Sequence, residues 1–203
     1  TAVFKMLAPP SKDDSPQLYS IMGDLTGFAH KDVTQCPDDA HFMKNGKPTD
    51  LDVAFQNPNT AVYLSEEKTT TINFTQDGGA TWETVKHKPD PATGGQVAMS
   101  ADGSSTIWVP NSISGKPYVT TDLGKTWYYV EGLGFNAKIA ADRVNPKVFY
   151  ATCDGLFYVS RDGGVTFEST GQMVADSAEP VTVFGQEGNV WISSSTMIMY
   201  TED

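Results

Sequence analysis

The sequence predicts an all-β fold, a β-propeller of four-stranded antiparallel blades, and three observations carry that prediction. A Ser/Thr-x-Asp tripeptide recurs four times, as Thr75-Gln76-Asp77, Thr120-Thr121-Asp122, Ser160-Arg161-Asp162 and Thr201-Glu202-Asp203, with 45, 40 and 41 residues between successive aspartates. The first three continue as Asp-x-Gly-x-Thr-aromatic, the Asp-box hairpin pattern, closing on Trp82, Trp127 and Phe167. Between the boxes lie short apolar runs broken by Gly, Pro, Asn and Asp about every ten residues, with no sustained 3.6-residue period. A repeat of this length carrying four short strands is the signature of propeller blades.

Taken in order, residues 1–50 form a less regular leading segment. Tyr19 to Met22 reads as a strand running into a loop from Gly23 to Gly27, and residues 31–50 read as a long polar connection. The first full repeat spans 51–90. Leu51 to Phe55 alternates apolar and polar as a half-buried strand does, Asn57-Pro58-Asn59 is a turn, Ala61 to Ser65 and Thr70 to Phe74 are strands, and Trp82 to Val85 returns after the box. The repeat at 96–131 follows with strands at Gln96 to Ser100, Ser105 to Val109 and Pro117 to Thr120. The repeat at 137–170 has strands at Ala137 to Ala140, Val148 to Thr152 and Leu156 to Ser160. A last repeat, 180–203, has strands at Val181 to Phe184, Val190 to Ser193 and Met197 to Tyr200, and stops at Asp203 inside its own motif. That stop predicts a piece of something longer, and four units with a leading segment make about four and a half blades.

Composition narrows the functional classes. The chain of 203 residues has 18 Gly and 12 Pro and is 19% charged, which suits many strands and turns. A net charge of -11 argues against a nucleic-acid partner, because no basic surface releases counterions, and is compatible with a neutral ligand such as a glycan. No apolar run reaches membrane-spanning length and no signal peptide is visible. Cys36 and Cys153 are too few for a disulfide framework. His41 and His87 have no partners at metal-ligand spacing, so no metal site and no cofactor are expected.

The box carboxylates Asp77, Asp122 and Asp162 invite a catalytic or calcium-binding reading. Turn chemistry explains them better. An aspartate accepts turn N–H groups, glycine supplies positive φ, and the aromatic packs beneath. Catalysis needs one asymmetric site, not the same group in every blade. One carboxylate stands outside the repeat: Asp24, in Ile21-Met22-Gly23-Asp24-Leu25-Thr26-Gly27-Phe28-Ala29-His30-Lys31-Asp32. It follows a short apolar strand, where blade loops converge on ligands. A plain Asp-containing turn is the alternative.

The run from Tyr19 to Asp32 resembles the strand-Gly-Asp-x-x-Gly-Phe-x-His-x-Asp stretch of family 74 glycoside hydrolases, xyloglucan-active endo-β-1,4-glucanases. The similarity extends through Thr1-Ala2-Val3, Asn57-Pro58, Val97 to Pro110, Asp142 to Pro146, Phe149 to Ala151, Phe157 to Ser160 and Gly185 to Ile192. The chain has Thr26-Gly27-Phe28 where the family usually has Gly-Gly-Phe, and Ala29 where it has a basic residue. The resemblance implies part of a seven-bladed propeller, the second of two facing a cleft, in a secreted inverting enzyme. It implies Asp24 as the general acid, and a base in the first propeller. Phe28 would stack on a sugar ring or be buried. His30 and Asp32 would bind sugar hydroxyls, orient Asp24 or hold the loop. Trp82, Trp108, Trp127 and Trp191 are expected in the core, whereas Tyr118, Tyr128 and Tyr129 are the exposed-aromatic candidates. The competing reading is a non-catalytic Asp-box propeller that binds glycan or protein ligands. A sialidase would need an arginine triad, and the chain has only Arg143 and Arg161.

Overall fold

The computed structural model describes residues 2–10, 12, 14–23, 27–37, 46–89, 92–111 and 115–201. Their strands form five antiparallel meanders. The first sheet holds β1 (Val3–Leu7), β2 (Leu18–Met22) and β3 (Gly27–His30). The second holds β4 (Lys47–Val53), β5 (Ala61–Glu66), β6 (Thr70–Thr75) and β7 (Glu83–Thr84). The third holds β8 (Gln96–Met99), β9 (Thr106–Val109), β10 (Tyr118–Thr120) and β11 (Tyr128–Tyr129). The fourth holds β12 (Lys138–Ala141), β13 (Phe149–Cys153), β14 (Leu156–Ser160) and β15 (Glu168–Met173). The fifth holds β16 (Glu179–Thr182), β17 (Val190–Ser193) and β18 (Ile198–Thr201). No helix of the described residues is long and apolar enough to cross a membrane.

Among the described residues the fold is an all-β propeller of five blades, which corrects the expectation of about four and a half blades forming part of a seven-bladed ring. Each sheet takes about 40 residues, and among the described residues the first and fifth sheets carry three strands each. The leading segment also departs from its sequence reading. Val3–Leu7 and Gly27–His30 are strands, and the second sheet opens at Lys47 rather than Leu51.

The sheets stack through their flat faces, and the two-residue period of each strand decides which side chains do it. Tyr19 and Ile21 of β2 meet Leu51, Val53 and Tyr63 of the second sheet. Val62, Leu64, Ile72 and Phe74 meet Val97, Met99 and Trp108 of the third. Ala98, Ile107 and Val119 meet Phe149 and Ala151 of the fourth. Tyr150 and Phe157 meet Val190 and Ile192 of the fifth. Each large side chain buried here contributes about 1.5–3 kcal/mol.

The first strand of each sheet lies innermost, and these inner strands run parallel. Asp50 and Asp52 of β4 accept the N–H groups of Val97 and Met99 of β8 at 2.8 and 2.7 Å, in step along both strands. Lys138 and Glu179 pair at 3.5 Å near the start of β12 and β16, and the Thr182 hydroxyl donates to the Ala141 carbonyl at their ends. Every connection between second and third strands therefore lies at the end where the inner strands start. Every box turn lies at the opposite end. Asp142, fully buried just past β12, accepts from the Val144 and Asn145 N–H groups, the Tyr150 hydroxyl and the Gly188 N–H, and so ties the fourth sheet to the fifth.

Candidate active site

Position 24 belongs to the connection between β2 and β3. Asp24, Leu25 and Thr26 lie outside the described residues. Its two flanks are held firmly. β2 is anchored by fully buried Tyr19 and Ile21, and the Tyr19 hydroxyl donates to the Pro58 carbonyl at 2.8 Å. Burial, helped by the nearby Asp77 charge, pushes that hydroxyl far above its ordinary value, so it stays protonated. The Gly23 N–H donates to the Ala2 carbonyl at 2.8 Å, which places the loop entry beside the start of β1. A Cβ at Gly23 would press on the Phe4 ring, so the entry accepts only glycine without rearrangement.

Of the other named residues, Phe28 stands nearest the loop, one residue past Gly27 on β3, and is half-buried. His30 lies two residues further on the same face, its ring 5.8 Å from that of Phe28. Its Nε2 is 3.1 Å from the Ser20 hydroxyl, and burial lowers its pKa, which keeps the imidazole neutral at pH 7. Asp32 is carried to the other end of the sheet. It stands two residues beyond His30, where β3 ends opposite Leu18 at the start of β2. There its Oδ1 accepts the Thr34 N–H and hydroxyl at 2.8 and 2.6 Å. These bonds hold its carboxyl below the usual range and mark it as a turn former. Along the chain, Phe28 follows the loop exit at Gly27 on β3, and Asp32 lies two residues beyond the end of that strand.

The box carboxylates are consumed by their own turns. Asp77 accepts the Thr75 hydroxyl at 2.8 Å, the Thr81 N–H at 2.9 Å and the Thr81 hydroxyl at 2.5 Å. Asp122 does the same with Thr120 and Thr126, and Asp162 with Ser160 and Thr166. Burial alone would raise these carboxyls, but the accumulated hydrogen bonds outweigh it and hold all three below the ordinary value. Leu123 takes the positive φ, 57°, that Gly78 and Gly163 supply in the other two turns. Trp82 and Trp127 each donate an indole N–H to a turn carbonyl, of Gly79 and Gly124, while Phe167 is buried without such a bond. No group of three His, Cys, Asp or Glu side chains able to hold a metal occurs among the described residues.

Sequence reasoning missed a charged centre on the axis. The inner strands of all five sheets line a cavity of about 300 Å³ that includes Lys5, Asp50, Asp52, Gln96, Lys138 and Arg143. The Arg143 guanidinium reaches from the fourth sheet to Asp52 of the second, at 2.9 and 3.3 Å, and donates to the Val53 carbonyl at 3.3 Å. It also lies 4.4 Å from the centre of the Phe55 ring. Lys5 pairs with Asp50 at 2.8 Å. The available signal was Asp50-Leu51-Asp52 on an apolar strand, two carboxylates on one face. Among the aromatics, Trp108 is fully buried and Tyr128 and Tyr129 are exposed, as their positions suggested. Two expectations are corrected. Tyr118 is buried, stacked between Trp108 and Tyr129, and Trp191 is 45% exposed, its face covered by none of the five described sheets.

Comparison with known proteins was made on sequence and on fold. The chain is 37% identical over 199 residues to xyloglucanase Xgh74A of Acetivibrio thermocellus, an alignment covering 95% of this chain and 23% of that protein. It is 36% identical over 203 residues to a xyloglucanase of a Paenibacillus species, covering 95% of this chain and 19% of that one. The crystal structure of the GH74 xyloglucanase from Xanthomonas campestris superposes with a TM-score of 0.84 at 25% identity, over 99% of this chain and 30% of that one. No family model matches the chain. The chain spans less than a quarter of the length of these curated relatives. The similarity runs through nearly all of its residues and is not confined to the box motifs.

Proposed function

We propose that this chain, homologous over its length to a part of the family 74 glycoside hydrolases, is a portion of a secreted enzyme that cleaves β-1,4-glucan backbones, with xyloglucan as substrate. The observation that carries this reading is the 37% identity to a xyloglucanase across 95% of the chain. In this reading Asp24 is the general acid. It sits in the connection between β2 and β3, at the end of the blades where the inner strands start. The base comes from a second propeller of the same protein, across a cleft. Inversion places the two carboxyl groups about 6.5–9.5 Å apart, room for the attacking water between base and anomeric carbon. The acid must hold its proton at working pH, so its surroundings raise its pKa, and it delivers that proton to the leaving glycosidic oxygen. Phe28 and neutral His30 sit on the strand that leaves the loop, and are assigned to the sugar side of the site. Asp32 is given no part, since its carboxylate is capped at the far end of the sheet.

The test is hydrolysis by the longer polypeptide that carries this chain. Incubated with xyloglucan and followed by proton NMR, it is expected to release oligosaccharides with the α-anomer appearing first. Binding without hydrolysis would contradict the reading and favour a non-catalytic propeller, and initial β-anomer product would remove the inverting mechanism.

A further inference from the structure

The outer strands of the second, third and fourth sheets share two exposed positions, six and seven residues after the box aspartate. The second sheet fills them with Glu83 and Thr84, and the fourth with Glu168 and Ser169. The third fills them with Tyr128 and Tyr129, which are 63 and 60% exposed. The second and fourth sheets pack on the two faces of the third, so this exposure exists with both neighbouring blades in place. The fold asks for no aromatic there, because two other blades form without one. Tyr129 ends a cross-strand row that runs Val97–Trp108–Tyr118–Tyr129. Its ring stacks on Tyr118 at 4.9 Å and 30°, and Tyr118 stacks on buried Trp108 at 6.0 Å and 28°. The corresponding rows, Leu51–Tyr63–Asn73–Thr84 in the second sheet and Ile139–Ala151–Tyr158–Ser169 in the fourth, end on a small hydroxyl residue. The Lys116 ammonium lies 5.8 Å from the centre of the Tyr129 ring. Tyr129 pairs with the first residue of β10, so it stands at the end of the sheet where the second and third strands are joined.

We propose that Tyr128 and Tyr129 form a second carbohydrate site, a platform on the rim of the third blade that holds a linear β-1,4-glucan chain. The identity of the ligand rests on the hydrolase reading, whereas the platform itself rests on the departure from the repeat. Pyranose rings present flat C–H faces that stack on aromatic rings, and the two tyrosine hydroxyls and Lys116 offer bonds to sugar hydroxyls. Tyrosine in place of glutamate removes a carboxylate from this blade alone. The platform is thereby uncharged with one cation beside it, which suits a neutral ligand on a chain of net charge -11. The stack on Tyr118 holds the Tyr129 ring in one orientation before a ligand arrives, which lowers the cost of ordering it. A two-residue strand is too short to offer an edge to an added peptide strand, which sets a strand-pairing protein partner aside. The use of such a platform is to retain a long polymer at the surface.

Depletion isotherms in the cold on xyloglucan-coated cellulose, with the longer polypeptide that carries this chain, test it. A first double variant, Tyr128→Glu with Tyr129→Thr, installs the residues of the second sheet and is expected to fold. It is expected to bind the polymer about tenfold more weakly than the wild type. A second double variant, Tyr128→Phe with Tyr129→Phe, keeps both rings and is expected to bind as the wild type does. Circular dichroism checks each fold, and Tyr128→Glu alone replaces the first double variant if that one loses its β-sheet signal. Wild-type affinity in the first double variant overturns the proposal and leaves the rings to another class of partner. Loss of affinity in the second overturns it as well, because stacking then does not carry the binding. Hydrolysis by the wild type, measured beside these isotherms, separates the two readings. A polypeptide that cleaves xyloglucan while the first double variant keeps its affinity loses only the platform. One that binds but does not cleave, with affinity lost in that variant, keeps the platform and loses the hydrolase reading. One that neither binds nor cleaves loses both.

Discussion

Replacing Arg143 by methionine should unfasten the axis of the molecule. The guanidinium side chain is 12% exposed, and its partner Asp52 is 3% exposed. Removing one member of a buried pair leaves the other charge unpaired in a poor solvent, which costs about 3–5 kcal/mol. Two features of this site bear on the figure. Asp52 keeps the Met99 N–H, and the vacated space adjoins the axial cavity that Asp52 and Arg143 line, which places the electrostatic cost near the lower end. The lost contact with the Phe55 ring adds about 0.5–1 kcal/mol. A total of about 3–4 kcal/mol lowers Tm by roughly 6–16 °C in a chain of this size. Thermal unfolding followed by circular dichroism reads it directly. Asp52→Asn and the double variant complete a thermodynamic cycle, in which contacting residues are expected to couple by about 1–3 kcal/mol. A Tm loss under about 2 °C for Arg143→Met, or additive single effects, would show that the bridge between the second and fourth sheets does not hold the arc together.

Other perturbations test the remaining parts of the account. Gly95 has φ +101°, and a Cβ there would overlap the Val109 carbonyl oxygen, so Gly95→Ala is expected to cost about 3 kcal/mol or more. Gly171, at φ +77° with open space around it, should cost only about 1–2 kcal/mol, and equal losses at the two sites in denaturant titrations would refute the packing argument. The box carboxylates are depressed in the folded state, so their contribution is complete above the unfolded value of about 3.9 and is lost as pH falls through the folded values. Asp122→Asn should lower Tm at neutral pH and flatten its decline below about pH 4, and a decline parallel to that of the wild type would show that the Asp122 turn does not feed acid unfolding.

The blades were legible because their strands obey a two-residue period between Gly and Pro punctuation. Leu156–Ser160 and Val190–Ser193 fall where the pattern places them. β1 was not, because Val3, Phe4, Met6 and Leu7 are apolar on both faces and Lys5 interrupts them, which hides the alternation. β3 was missed because Gly-Phe-Ala-His has the composition of a loop. Its strand character comes from pairing with β2, a tertiary cause. The same limit hid the axial charges. Arg143 and Asp52 are 91 residues apart, and only the curvature of the arc brings them together. Trp191 reads as core because it lies on the second strand of its sheet, where Trp108 is buried in the third, and its exposure depends on which sheet packs on that face, a tertiary matter. Asp24 stands out in the sequence as the carboxylate outside the repeat, and its assigned role rests on the family resemblance, because its neighbourhood is also that of an ordinary turn.

The measurement closest to the centre of the account is turnover of xyloglucan by the longer polypeptide carrying Asp24→Asn. Loss of a positioned general acid is expected to lower kcat by about 10²–10⁴, with Tm and the circular dichroism spectrum unchanged. Hydrolysis at the wild-type rate by a folded Asp24→Asn protein would contradict the assignment and remove this arc of blades from the chemistry.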